Sequence, residues 1–282
     1  MNRRPKPFVL FIQYVILIVM VIFALYPVWF AVIASGRAGS RLYSLSLAGM
    51  FFPTEWTWEN YKAMLTSDQT PFLFWMRNSL FVAGCTTVGC LLIATSGAFA
   101  FSRFKFYGRQ GILILLLAIQ AFPGVLSLVP VAQILTAVGL YKNLFGLILA
   151  YVVGNLVFQT WLLKGYFDTI PIEIEEAGMI DGCGPLQSFL LIGLPMAVPA
   201  LATTALLSFM GSWGEYVFAS VLLPVTDKNT TLMVGMFALT TSKSVPWGFF
   251  AAGAVMVMIP VIFIYIYFQK YLVSGLTMGG IK

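Results

Sequence analysis

The sequence contains no histidine. That excludes a Ser-His-Asp triad, an H-E-x-x-H zinc site and a histidine haem ligand. It contains no Gly-Lys dipeptide, so the phosphate-cradling loop of nucleotide-hydrolysing proteins is absent as well. Cysteine is scarce: Cys85, Cys90 and Cys183 show no C-x-x-C spacing and imply neither a disulfide framework nor a zinc site. Charge is scarce too, at 9% of residues, where soluble domains carry about 25%. With 60% hydrophobic residues, a water-soluble fold of 282 residues could not hide its apolar surface.

What is present is a series of long apolar runs. A spanning helix needs about 20 apolar residues. Six stretches qualify: 8–33, 78–101, 112–138, 144–163, 198–223 and 249–268. Of all the charged residues, only Glu215 falls inside them. The first run, about 26 residues long, exceeds the 7–15 of a cleaved signal core, and its basic flank Arg3, Arg4 and Lys6 reads as a retained anchor.

Lys and Arg set the expected orientation. The amino-terminal cluster and Arg103, Lys105 and Arg109 of loop 102–111 are two spans apart, so they share a side, and the positive-inside rule makes that side the cytoplasm. The expected fold is an all-α membrane protein, a single domain over 1–282 with six transmembrane helices and both termini cytoplasmic. Loops 34–77, 139–143 and 224–248 are then external, and loop 164–197 is internal. The net charge of +6 reflects basic flanks beside membrane lipid and carries no nucleic-acid-binding pattern.

Loop 164–197 breaks the trend. It holds Asp168, Glu173, Glu175, Glu176 and Asp181 against Lys164 alone. Pro171 suits the start of a helix, the glutamates suit its positive end, and Gly182 and Gly184 suit its stop. Pro185 can start a second helix. Interfacial helices carry Lys and Arg toward anionic lipid. An acidic helix–turn–helix with apolar faces suits a groove on a protein partner instead.

The run Glu176-Ala177-Gly178-Met179-Ile180-Asp181-Gly182, followed after nine residues by Ile192-Gly193-Leu194-Pro195, resembles the EAA loop of binding-protein-dependent ABC importers. Gly178 stands where that pattern has its second Ala. Further segments resemble carbohydrate importers of this family. They are Arg77-Asn78-Ser79, Ala98-Phe99-Ala100-Phe101-Ser102-Arg103, Phe122-Pro123-Gly124 and 161–167. The tail 275–282 resembles maltose/maltodextrin permease subunits of the MalG type.

The resemblance implies one half of a heterodimeric inner-membrane permease. It implies a MalF-like second permease subunit, a homodimeric cytoplasmic ABC ATPase that carries ATP and Mg, and an extracytoplasmic sugar-binding protein. The chain itself would hold no cofactor or metal and would not be an enzyme. Glu176, Ala177, Gly178 and Gly182 would form the turn that couples to the ATPase, with Leu194 and Pro195 closing the motif. Glu175 and Asp181 would flank it and meet basic groups there. Maltose or maltodextrin leads as substrate; trehalose, another oligosaccharide or glycerol-phosphate stays open. An ion-coupled secondary sugar carrier is the rival class, opposed by the shortage of ionisable groups in the spans.

Glu215 is a functional-site candidate because an ionisable group inside a span is costly. Trp213-Gly214-Glu215-Tyr216 resembles the Trp-Asn-Glu-Phe segment of sugar permeases. Aromatic faces beside a carboxylate suit sugar recognition, and a structural or gating contact is the alternative. Pro123-Gly124 interrupts the third span and could expose carbonyls to a cavity, or could be a packing kink. Gln120, Gln133, Asn155 and Gln159 suit interhelical hydrogen bonds. Ser242, Lys243, Ser244, Val245, Pro246 and Trp247 could reach the sugar-binding protein, or form an ordinary surface loop.

Overall fold

A computed structural model describes residues 7–38, 49, 51–52, 55–67, 70–224, 228–241 and 246–278. The described residues are all-helical, without strands. The helices in chain order are α1 (Pro7–Ser35), α2 (Glu59–Thr66), α3 (Phe72–Arg103), α4 (Arg109–Gln120), α5 (Leu128–Ala137), α6 (Leu144–Phe167), α7 (Ile172–Ile180), α8 (Pro185–Met196), α9 (Val198–Trp213), α10 (Val217–Leu222), α11 (Leu232–Thr240) and α12 (Trp247–Met278).

Four of these, α1, α3, α6 and α12, are long and apolar enough to cross a bilayer alone. Two bent pairs bring the total to six if each counts as one span: α4 with the Gly124–Ala137 segment, and α8 with α9. The expected span 112–138 is therefore broken. Its halves meet at 94°. Pro123 has no N–H to continue the ladder. Leu126 N–H donates to the Pro123 carbonyl (3.0 Å) in a tight turn at Gly124–Ser127. The expected span 198–223 also divides. Helix α9 stops at Trp213, Gly214 caps it, and α10 starts afresh at Val217.

The chain forms two compact units. The first comprises 1–71 and 236–259. Here Ser35 Oγ and Tyr61 Oη are hydrogen-bonded at 2.6 Å, and Asn60 Nδ2 donates to the Ser35 and Arg37 carbonyls (2.9 Å each). The bond to the Ser35 carbonyl satisfies the last carbonyl of α1. Helix α1 is exposed from Pro7 to Trp29, so its apolar face needs lipid or another chain to cover it.

The second unit comprises 72–235 and 260–282. Its centre is the packing of α3 on α6, with α9 against both. Cys90, Ala94 and Ala98 are fully buried at a four-residue spacing, and Gly89 faces Val152 at close contact. Small residues on one stripe let helix backbones approach closely, the usual basis of packing inside a bilayer. Asn78, in the second turn of α3, donates to the Lys228 and Thr230 carbonyls (2.7 and 3.0 Å), and Ser79 Oγ accepts from Leu232 N–H (2.8 Å). The Arg77-Asn78-Ser79 segment thus fastens the turn before α11.

Candidate functional site

Two places in the second unit collect the residues that the sequence marks. The first is the helix pair α7–α8. Helix α7 starts after Pro171, as the proline and the following glutamates require, and stops at Gly182, whose φ of 98° suits glycine. Asp181, Gly182 and Cys183 donate to the carbonyls of Ala177, Met179 and Gly178 and so satisfy the helix end. Helix α8 starts at Pro185, and the Gln187 side chain reaches back to Gly184 N–H (2.9 Å). It contains a π-helical turn over Phe189–Gly193, consistent with the N–H that Pro195 cannot supply.

Gly178 faces Ile192, and a Cβ there would overlap Ile192 Cδ1. The two halves of the motif, nine residues apart, therefore pack on each other. Glu176, Ala177, Asp181, Gly182 and Pro195 are exposed; Gly178 and Leu194 are half-buried. Around them Ile172, Ile174, Met179, Ile180, Leu186, Leu190 and Leu191 are exposed too, Ile180 at 88%. An exposed apolar patch with an acidic rim marks an interaction surface.

Glu175 is placed otherwise than expected. It does not stand beside Glu176 on the surface to meet basic groups of a partner. It is 2% exposed and meets a basic group of its own chain. Arg103 Nη2 lies 2.7 Å from Glu175 Oε1, and Nε donates to the same oxygen at 2.8 Å. Arg103 also donates to the Ile170 carbonyl and to Ser102 Oγ (3.1 Å each). Helical spacing turns Glu175 about 100° around the helix from the exposed Glu176. A buried carboxylate needs such a partner. Ser102 Oγ donates to Asp168 Oδ1 (2.7 Å), and Lys164 Nζ pairs with Asp168 Oδ2 (2.5 Å). Burial raises the Asp168 carboxyl, but hydrogen bonds from Lys164 and Ser102 and the charges of Lys164 and Arg109 outweigh it, holding it below its ordinary value of 3.8.

The second place is a cavity of about 1080 Å³ in the bend of the third span. Gln120, Pro123, Gly124, Tyr151, Asn155 and Glu215 line it, within a largely apolar wall. The break at Pro123 and the intramembrane carboxylate, 92 residues apart in the numbering, thus share one space. Glu215 is not a bare carboxylate there. Oε1 accepts from Phe218 N–H (2.8 Å), and Oε2 accepts from Ala219 N–H (3.1 Å) and from Tyr151 Oη. It caps α10, supplying partners to N–H groups that the break in the fifth span would orphan inside the bilayer.

Trp213 is buried away from the cavity and stacked on Phe209 (5.6 Å, 18°), while Tyr216 is half-buried against the apolar core. Asn155 donates to the Tyr151 carbonyl of its own helix (2.8 Å) and so does not act as an interhelical tie through that group. Ser242, Lys243, Ser244 and Val245 lie outside the described residues; Pro246 precedes α12 and Trp247 begins it in the other unit, where Trp247 meets Phe250 edge-on. Among the described residues no three His, Cys, Asp or Glu converge as metal ligands. Arg103 and Tyr151 carry the two sites' polar contacts, and neither stood out from spacing alone: each meets its partner across more than 60 residues.

A helical chain with four to six candidate spans, a cavity at a broken span and an exposed, anchored helix pair has the build of a polytopic membrane protein. Comparison with known proteins identifies the class. The chain belongs to the family of binding-protein-dependent transport system inner membrane components, whose profile matches residues 91–278. It is 36% identical to the maltose/maltodextrin transport system permease protein MalG of Escherichia coli K12, covering 97% of this chain and 96% of that protein. It is 35% identical to the inner membrane ABC transporter permease protein YcjP of the same strain, covering 94% of each. Among solved structures, a bacterial ABC transporter involved in alginate import superposes with a TM-score of 0.80 at 26% identity, covering 96% of this chain and 99% of that one. The chain is thus a multi-pass inner-membrane permease subunit of an ABC carbohydrate importer. It is not an enzyme and carries no cofactor of its own; ATP belongs to the partner ATPase, and a periplasmic binding protein is the other implied partner.

Proposed function

We propose that this subunit imports maltose or maltodextrins as half of a permease heterodimer with a MalF-like subunit. A cytoplasmic ATPase dimer drives it, and a sugar-binding protein loads it from outside. Both termini and the α7–α8 pair face the cytoplasm, as the basic clusters at 3–6 and 103–109 favour. The observation that carries the coupling role is the exposed apolar and acidic surface of α7–α8, fastened to the end of α3 by a buried ion pair. The similarity to MalG supports the substrate class.

The mechanism is alternating access. Closure of the ATPase dimer draws the docking elements of the two permease subunits together, and the spans tilt to open outward. Linkage requires the loaded binding protein to bind the outward state more tightly. The cavity beside Pro123 and Glu215 is this subunit's wall of the path. Its apolar lining and few hydrogen-bond groups suit a neutral sugar that must leave again.

Uptake of labelled maltose, trehalose, glycerol-phosphate and a longer maltodextrin by the reconstituted complex tests the proposal. ATP-dependent maltose or maltodextrin uptake, with the others at background, supports it. Uptake restricted to another solute would overturn the substrate assignment. The equal similarity to YcjP makes those comparison solutes necessary.

A further inference from the structure

The last two turns of α3 form a socket for the helix pair. Phe99 packs on Phe189 of α8 (4.7 Å) and on Phe167 of α6 (5.5 Å), and a Cβ on Gly193 would sit 3.1 Å from its ring. Arg103, one turn on, holds Glu175 of α7. Of the charged residues in α7, only Glu175 is turned inward; Glu173 and Glu176 are exposed.

We propose that the Arg103–Glu175 pair is the rigid link through which displacement of α7 reaches the membrane-spanning helix α3, so that ATPase closure moves the span rather than merely bending the loop. The proposal rests on the docking role of α7–α8 given above. Three features favour it. Arg103 uses Nε, Nη1 and Nη2 at once, on Glu175, Ser102 and the Ile170 carbonyl, so its position is fixed in direction as well as distance. Both side chains are shielded, at 9% and 2% exposure, so water does not weaken their attraction when α7 is pulled. The second arm, Ser102–Asp168–Lys164, fastens the end of α6 to the same turn of α3, so that α3 and α6 move together.

Arg103 and Glu175 are therefore positioning residues: neither contacts sugar or ATP. The test uses the full complex in proteoliposomes with the neutral pair Arg103→Gln/Glu175→Gln, which removes both charges together, and the conservative variant Arg103→Lys. Copurified ATPase, ATP hydrolysis stimulated by loaded binding protein, and sugar uptake per ATP are read together. The neutral pair is expected to retain the ATPase and hydrolysis within two-fold of the parent while uptake per ATP falls at least ten-fold. Arg103→Lys, which keeps a donor cation against Glu175, is expected to recover at least a third of the parent ratio. An unchanged ratio in the neutral pair overturns the proposal, as does an Arg103→Lys variant no better than the neutral pair. Loss of ATPase binding in the neutral pair also overturns it, because the pair would then serve docking alone. Glu176→Lys, run alongside, separates the two levels. If it transports normally, the docking role itself fails. If it uncouples while the neutral pair transports normally, only the link fails.

Discussion

Gly178 of α7 and Ile192 of α8 lie so close that a Cβ on the glycine would overlap the isoleucine's Cδ1. The contact joins the two halves of the proposed docking motif and gives a physical setting to the one departure from its Ala pattern. The obstructing atom is the end of a flexible side chain, so alanine needs only a rotation of Ile192. Glycine in a helix costs roughly 1 kcal/mol relative to alanine. Gly178→Ala is therefore expected to transport within about two-fold of the parent, and Gly178→Leu to lose coupled uptake because the helices must separate. Uptake by the two variants at matched membrane abundance checks this; equal uptake would show that the contact is dispensable.

The exposed turn carries a second prediction. Glu176→Lys reverses the charge of an exposed residue of the proposed docking surface. Gly182→Asp places a side chain at φ 98°, where L residues are strained by about 1–3 kcal/mol. Both variants are expected to insert in the membrane at parent levels and to lose ATP-driven uptake. Normal uptake with either would remove the docking role of that residue.

Much of this organisation was legible from the amino acids. Charge exclusion located the apolar segments, Pro171 and Gly182 bounded α7, Pro185 started α8, and Pro123-Gly124 marked the broken third span. Three things were not legible. The inward turn of Glu175 depends on Arg103, 72 residues away, and no local pattern separates it from its exposed neighbour Glu176. The cap that Glu215 places on α10 depends on a break at Gly214 that hydropathy reads straight through. The joining of α8 to α9 in a bent pair, 75° apart, depends on backbone geometry around Pro195 and Pro199 that composition does not specify.

Glu215 offers a direct test of capping against sugar contact. Glu215→Ala removes acceptors from two backbone N–H groups and from Tyr151. Each donor left unsatisfied away from water costs about 1–3 kcal/mol. The variant is expected to lower the denaturation midpoint of the purified complex whether or not sugar is present. Glu215→Gln keeps one acceptor oxygen, which can serve Ala219 N–H and Tyr151 Oη while its amide nitrogen faces Phe218 N–H, and is expected to recover only part of that loss. A Glu215→Ala complex of unchanged stability but weakened sugar-stimulated hydrolysis would assign the residue to the sugar instead.

The Asp168 carboxyl, held below 3.8 in the folded chain, gives a pH dependence. A depressed carboxylate contributes stability that is present above its unfolded pKa of about 3.9 and is lost as pH falls through the lower folded value. The stability difference between the parent and Asp168→Asn is therefore expected to be constant from pH 8 to 5 and to shrink below pH 4. Denaturation midpoints across that range measure it. A difference that changes between pH 8 and 6 would place the responsible group elsewhere.

The most direct test of the whole account is isolation of the native complex from membranes in mild detergent, with identification of every chain that travels with this one. The account predicts a second, different permease subunit and two copies of an ABC ATPase, and loss of the ATPase alone from the Glu176→Lys preparation. A chain that elutes alone, or as a homodimer that still moves sugar without ATP, would contradict it.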